Sequence, residues 1–168
     1  GEQMIRLTLT AAALAGAVAF TGAAAHADTG PDTGLQACHA RVAEYAYFWD
    51  QNDDEGMAEV FTDDATLTLG GQTFTGPEAI VGRMQAREEG SLIRHLMTTV
   101  HIERTGADSA RGVSYVSVYM GQQPDQGLTV VDGFALMGEY HDTFALTGGD
   151  CRIAERRLVP VLRRPTEQ

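Results

Sequence analysis

The sequence predicts an α+β domain, with helices first and then a bent antiparallel sheet wrapped over them. Three observations carry this. Leu35, Cys38, Val42, Tyr45 and Trp49 recur at spacings of three and four, which draws one apolar face along a helix. Ala65-Thr-Leu-Thr-Leu and Gln72-Thr-Phe flank Gly70-Gly71, a hairpin pattern. After Gly90, four long runs rich in Val, Thr, Tyr and Ile are separated by turn residues.

Each element has its own signal. Residues 1–27 hold Met4-Ile-Arg, an apolar stretch from Leu7 to Ala25, and Ala25-His26-Ala27 before Asp28. A positive head, an apolar centre and a small-x-small site read as a secretory leader, with a membrane anchor as the weaker alternative. Residues 28–34, Asp-Thr-Gly-Pro-Asp-Thr-Gly, are a linker by composition. The domain follows over 35–162, with 163–168 as a tail. The first helix ends near Gln51. Asn52 with Glu55 fits a capping box for a short second helix, Asp53 to Phe61. Thr75-Gly-Pro-Glu78 fits a second box and starts a third helix, running to about Glu89. Strands are expected at 92–104, 111–120, 128–146 and 151–162.

The chain has 168 residues and a net charge of −11, which disfavours nucleic acid and anionic membranes as partners. All its basic side chains except histidine are arginine, which excludes lysine Schiff-base chemistry and a phosphate-loop lysine. No Gly-x-Ser-x-Gly elbow occurs, and the paired glycines sit in turns. Cys38 and Cys151 would be allowed to bridge in an exported domain, or to lie as two buried thiols.

Asp53, just past an amphipathic helix, and His95, on the first long β-like run, are the candidate acid/base pair. Histidine titrates near neutrality, and a carboxylate fixes its tautomer. Asp53 is also well explained as a helix-start residue. Strand alternation puts His95, Met97 and Thr99 on one face, with His101 sharing that parity. His101, His141, Glu139 and Asp142 lack compact ligand spacing, so neither a metal nor another cofactor is expected. Tyr45 and Trp49 lie on the apolar helix face, whereas Phe48 lies off it and could line a cavity mouth.

The ordered set Tyr45 with Asp53, Phe61-Thr-Asp-Asp-Ala65, Gly76-Pro-Glu-Ala-Ile80, Arg94-His95, Gly138-Glu-Tyr-His-Asp-Thr-Phe144 and Arg152-Ile-Ala-Glu-Arg-Arg157 resembles the SnoaL-like branch of the nuclear transport factor 2-like superfamily. The resemblance spans about residues 35–162. It implies a cone-shaped fold with an apolar cavity at its open end. Dehydratase- and dehydrochlorinase-type members place an Asp at the position matching Asp53 and a His at that matching His95. The resemblance also brings an arginine near Arg156 into the site and offers His141 as a second proton relay. Cys151 stands where the family usually has tryptophan, which implies packing against the first helix, where Cys38 lies.

The expectation is a cofactor-independent lyase acting on a small apolar or aromatic molecule by elimination, through an Asp53–His95 dyad. Loss of water, halide or a small carbonyl fragment would follow proton abstraction. Arg156, Tyr45, Tyr140 or His141 would stabilise developing negative charge, and Phe48, Trp49 and Met97 would contact substrate. An isomerase or cyclase using the same dyad, or an exported ligand-binding protein without turnover, is the alternative. The protein is expected to be periplasmic or secreted, with no membrane span after processing. It is also expected to form a homodimer or homotrimer, with Val116, Val118 and Met120 as an outer-face contact.

Overall fold

The computed structural model describes residues 32–165, so the expected leader and most of the linker lie outside the described residues. Helix α1 (Thr33–Gln51) starts at Asp32, whose side chain accepts from the Leu35 N–H. It closes at Asn52, which adopts φ 59° and ψ 40°, left-handed geometry that asparagine tolerates better than most residues. Asn52 is therefore the end of α1 and not the start of the next helix. Asp53 caps α2 (Asp54–Val60) instead, accepting from the Gly56 N–H at 3.0 Å.

The chain then forms β1 (Phe61–Leu69) and β2 (Gln72–Thr75), followed by α3 (Pro77–Gln85). The capping box expected at Thr75 does not form, because Thr75 is the last residue of β2, paired with Thr66. Gly76 begins α3 at φ +80°, with no side-chain cap. Four long strands follow: β3 (Ser91–Arg104), β4 (Ser109–Gln122), β5 (Leu136–Thr147) and β6 (Asp150–Arg163). Residues 128–135, expected in the third of these, precede it. Gly127 at φ +89° and Gly133 at φ +145° bracket a stretch that cannot continue a regular ladder.

The six strands run β2-β1-β6-β5-β4-β3. β1 pairs parallel to β6, so the sheet is mixed and not wholly antiparallel. Between these two strands the chain builds the rest of the sheet, and no tight turn fixes their relative direction. The apolar face of α1 packs Cys38, Val42, Tyr45 and Trp49 into the core against the inner sheet face. There Cys38 and Cys151 are bridged across 113 residues with Cα atoms 5.1 Å apart, tying α1 to β6. Such a link typically contributes about 2–4 kcal/mol, mainly by restricting the unfolded chain.

One bulge decides what each face carries. From Thr98 to His101, β3 advances three residues while β4 advances two, from Tyr115 to Val113. Thr99, a β-branched residue, takes φ 48° in the extra step, a strained left-handed conformation. Alternation therefore inverts. His95 and Met97 face inward, but beyond the bulge His101 faces outward and Ile102 inward. His95 and His101 do not share a face. Val118 lies opposite His95 and Val116 opposite Met97, so both valines are buried on the inner side. They are core residues and not the outer stripe expected from alternation alone, and Met120 on the same side lines a cavity.

Candidate functional site

His95 reaches the interior from β3, and the last turn of α1 meets it. The partner is Asp50. Its Oδ1 lies 2.7 Å from His95 Nδ1, and its Oδ2 accepts the His95 backbone N–H at 3.0 Å. One carboxylate thus grips both the ring and the main chain of the same residue. Both side chains are nearly buried, His95 6 % and Asp50 8 % exposed. The Tyr45 and Trp49 rings stand edge-on to the imidazole, at 6.3 and 6.1 Å between centroids. With Nδ1–H held by the carboxylate, Nε2 is the basic nitrogen, and the rotation of the ring is fixed.

His95 lines a cavity of about 790 Å³ with Tyr45, Trp49 and Tyr140. Much of the remaining wall is apolar, from Met84, Ile93, Val118, Leu136 and Leu158. Arg87 fixes the adjoining turn by donating to the Trp49 carbonyl at 2.9 Å and to the Asn52 side chain. Burial holds the Tyr45 and Tyr140 phenols above their ordinary range, although the Arg156 charge pulls the other way. Both hydroxyls therefore stay protonated at neutral pH. Tyr45 Oη is buried with no hydrogen-bond partner of good geometry among the described residues, and the neighbouring Tyr140 hydroxyl adds to the rise of the Tyr45 phenol.

Arg156 lies beneath these tyrosines, fully buried, with its Cζ 4.2 Å from the Tyr45 ring centre and 4.5 Å from that of Tyr140. Asp142 takes it in a two-point grip at 2.8 and 2.7 Å. Burial acts against the guanidinium charge, yet the Asp142 carboxylate outweighs it and holds the group above its ordinary value. Arg156 is not part of the cavity wall. It acts on the site through the rings stacked over it.

The remaining expected site residues go elsewhere. Asp53 is turned to the Gly56 N–H and caps α2, three residues beyond the acid that binds His95. His141 faces the outer side of the sheet, with Nε2 2.9 Å from Glu139, because it alternates with the buried Tyr140 and Asp142. There it borders a polar depression with His101, Arg111 and Arg157, on the other side of the sheet from His95. Phe48 covers Gly56, where a Cβ would come within 2.5 Å of its ring, so it seals the α1–α2 junction. Met97 packs on the core below the cavity. Tyr45, Trp49, Tyr140 and His95 are the expected residues that share one cavity wall.

Asp50 escaped the sequence reading, yet it had a signal. It lies in the last turn of α1, where the helix carbonyls favour a cation, and that turn holds no basic residue. An acid at the wrong end of a helix is a local conflict, the kind that marks a functional position.

No curated protein matches the chain in sequence. A protein of unknown function from Mycobacterium tuberculosis is 28% identical, over 76% of this chain and 71% of its own, with a TM-score of 0.65. A scytalone dehydratase-like protein from Novosphingobium aromaticivorans is 20% identical, over 82% and 92% of the two chains, with a TM-score of 0.63. The hexachlorocyclohexane dehydrochlorinase LinA-type3 from Novosphingobium barchaimii is 18% identical, over 79% and 89%, also with a TM-score of 0.63. At these last two identities the likeness is one of fold, the cone of the nuclear transport factor 2-like proteins. The SnoaL-like domain matches residues 35–157, nearly the whole described chain, and the protein belongs to that family.

Proposed function

We propose that the protein is a cofactor-independent lyase that eliminates a small leaving group from an apolar or aromatic molecule. The observation that carries this reading is the Asp50 carboxylate on both His95 Nδ1 and the His95 main chain. It supports Nε2 as a base aimed into a mostly apolar cavity, where charge interactions are stronger than in water. Nε2 takes a proton from a carbon beside an electron-withdrawing group. The C–H electron pair becomes the new double bond, and hydroxide or halide departs from the neighbouring carbon. Departing hydroxide takes the proton back from the imidazolium as water. Asp50 stabilises that imidazolium, and the protonated Tyr45 hydroxyl donates to the developing oxyanion. The fold neighbours that are lyases of dehydratase and dehydrochlorinase type agree with this. The Cys38–Cys151 bridge supports action in an oxidising compartment outside the cytosol.

The test is a panel of β-hydroxy ketones and halogenated cyclohexanes in D₂O, followed by proton NMR. Elimination gives an alkene with release of water or halide, and isomerisation gives the label without release. Conversion by the wild type that disappears in His95→Gln is the expected result. Conversion that survives His95→Gln overturns the base assignment.

A further inference from the structure

The cavity contains a charge that the elimination mechanism does not use. Arg83, in the last turn of α3, lines the same wall as His95. A cation in that turn is favourable to the helix dipole, so its position alone says little. Its isolation says more. The other arginines removed from full exposure all have acceptors: Arg41 takes Glu44 and the Cys151 carbonyl, Arg87 takes Asn52 and the Trp49 carbonyl, and Arg156 takes Asp142. Arg83 is half-buried, and among the described residues no acceptor lies within its hydrogen-bond reach. Its guanidinium keeps a full fork of donors turned to the cavity side of α3.

We propose that Arg83 binds a carboxylate on the substrate, so that the ligand class is an apolar body carrying a single negative charge. This rests on the cavity being the substrate site. A guanidinium fork matches a carboxylate in two-point geometry. Glu88 on the same wall opposes a second negative charge, which disfavours a phosphate dianion. Met84, Ile93, Val118 and Leu136 supply the surface for the apolar body. The chain as a whole is strongly acidic, with a net charge of −11, so its overall field does not attract anions and the preference is local. Arg83 is in this role a specificity residue: it fixes one end of the ligand so that the other is presented to His95.

Trp49, the one tryptophan of the chain, lines this cavity and reports occupancy by its fluorescence. The probes are 4-phenylbutyrate and its uncharged amide, titrated into the full protein. The acid is expected to bind about tenfold to a hundredfold more tightly than the amide, the range for a charge-assisted hydrogen bond. Arg83→Gln is expected to remove that preference and leave amide binding unchanged, and Arg83→Lys to restore part of it. Arg157→Gln on the outer face changes the net charge equally and is expected to leave the preference intact. Equal binding of acid and amide, no quenching by either, or a preference that survives Arg83→Gln overturns the proposal. His95→Gln is expected to keep the acid preference while losing turnover. Failure of the base and failure of the carboxylate anchor are therefore separate results.

Discussion

Two nearly buried carboxylates in this molecule each hold a basic side chain at 2.7 Å, and they do opposite things. Asp142 and Arg156 form a closed pair, beneath two tyrosine rings and away from the cavity. Asp50 and His95 form an open one. The carboxylate takes one ring nitrogen, and the other is left beside a cavity. The first pair fixes the position of Tyr45 and Tyr140, and the second has a valence to spare for chemistry. Burial alone does not make a charged pair functional. Arg156 also keeps one nitrogen, Nη1, without a partner among the described residues, but that nitrogen is buried, so what distinguishes the reactive pair is that the group its partner leaves free faces a cavity.

The largest effect should come from removing the open nitrogen. His95→Gln is expected to lower kcat/KM about a thousandfold, within the range for general acid–base groups. Because a glutamine amide can still donate to Asp50 and the main-chain contact is kept, thermal unfolding should change little. A comparable loss of melting temperature would recast the pair as structural, like Asp142–Arg156.

The closed pair should respond in the reverse way. Asp142→Ala leaves a buried guanidinium without its counter-charge, which costs about 3–5 kcal/mol. Chemical denaturation should show that loss. Changing both residues to apolar ones, Asp142→Leu with Arg156→Met, should recover most of it, as expected when a closed ion pair contributes position more than stability. If the double variant is as unstable as the single one, the pair has a role beyond holding the rings.

A smaller change separates orientation from charge at the open pair. Asp50→Asn keeps the shape but replaces the acceptor with an amide, which can leave His95 in the wrong tautomer. About a hundredfold loss of kcat/KM is expected, with KM little altered, since the effect falls on the base and not on the cavity. An unchanged kcat would mean that the backbone contact to His95, not the ring contact, is what Asp50 provides.

Most of the fold was legible because it follows from local rules. The apolar spacing of α1 and the β-rich runs after Gly90 gave the first helix and the four long strands, whereas α2 and α3 were placed from capping boxes that do not form as read, although the helices do follow. The misread features depend on geometry that no local pattern contains. The bulge at Thr99 inverts the parity of β3, and so moves His101 outward. The parallel pairing of β1 with β6 is set by the whole sheet. His95, Tyr45 and Trp49 were found in sequence and do share a wall, because each sits on an element whose inward face was readable. On β5 the inward face was not readable, so Tyr140 and His141 both stood as candidates, and only Tyr140 points to the cavity while its neighbour His141 points outward.

Asp53 and Asp50 sharpen the same lesson at the smallest energy. Asp53 drew attention because it satisfies a local rule, standing at the head of a short helix where an acid is favoured. Asp50 violates one, standing at the tail of a long helix, and it is this acid that meets His95. A residue that its own helix already explains has little need of a second role, whereas a residue placed against the helix field must be held there by something else. Asp53→Ala should therefore cost about 1 kcal/mol of stability, the usual value of a lost cap, and Asp53→Ser should restore most of it. Neither should change kcat/KM beyond what partial unfolding explains. If Asp53→Ala lowers kcat/KM by tenfold or more while Asp53→Ser rescues stability but not rate, the α2 cap is coupled to the dyad through the turn at Asn52, and the two acids act together.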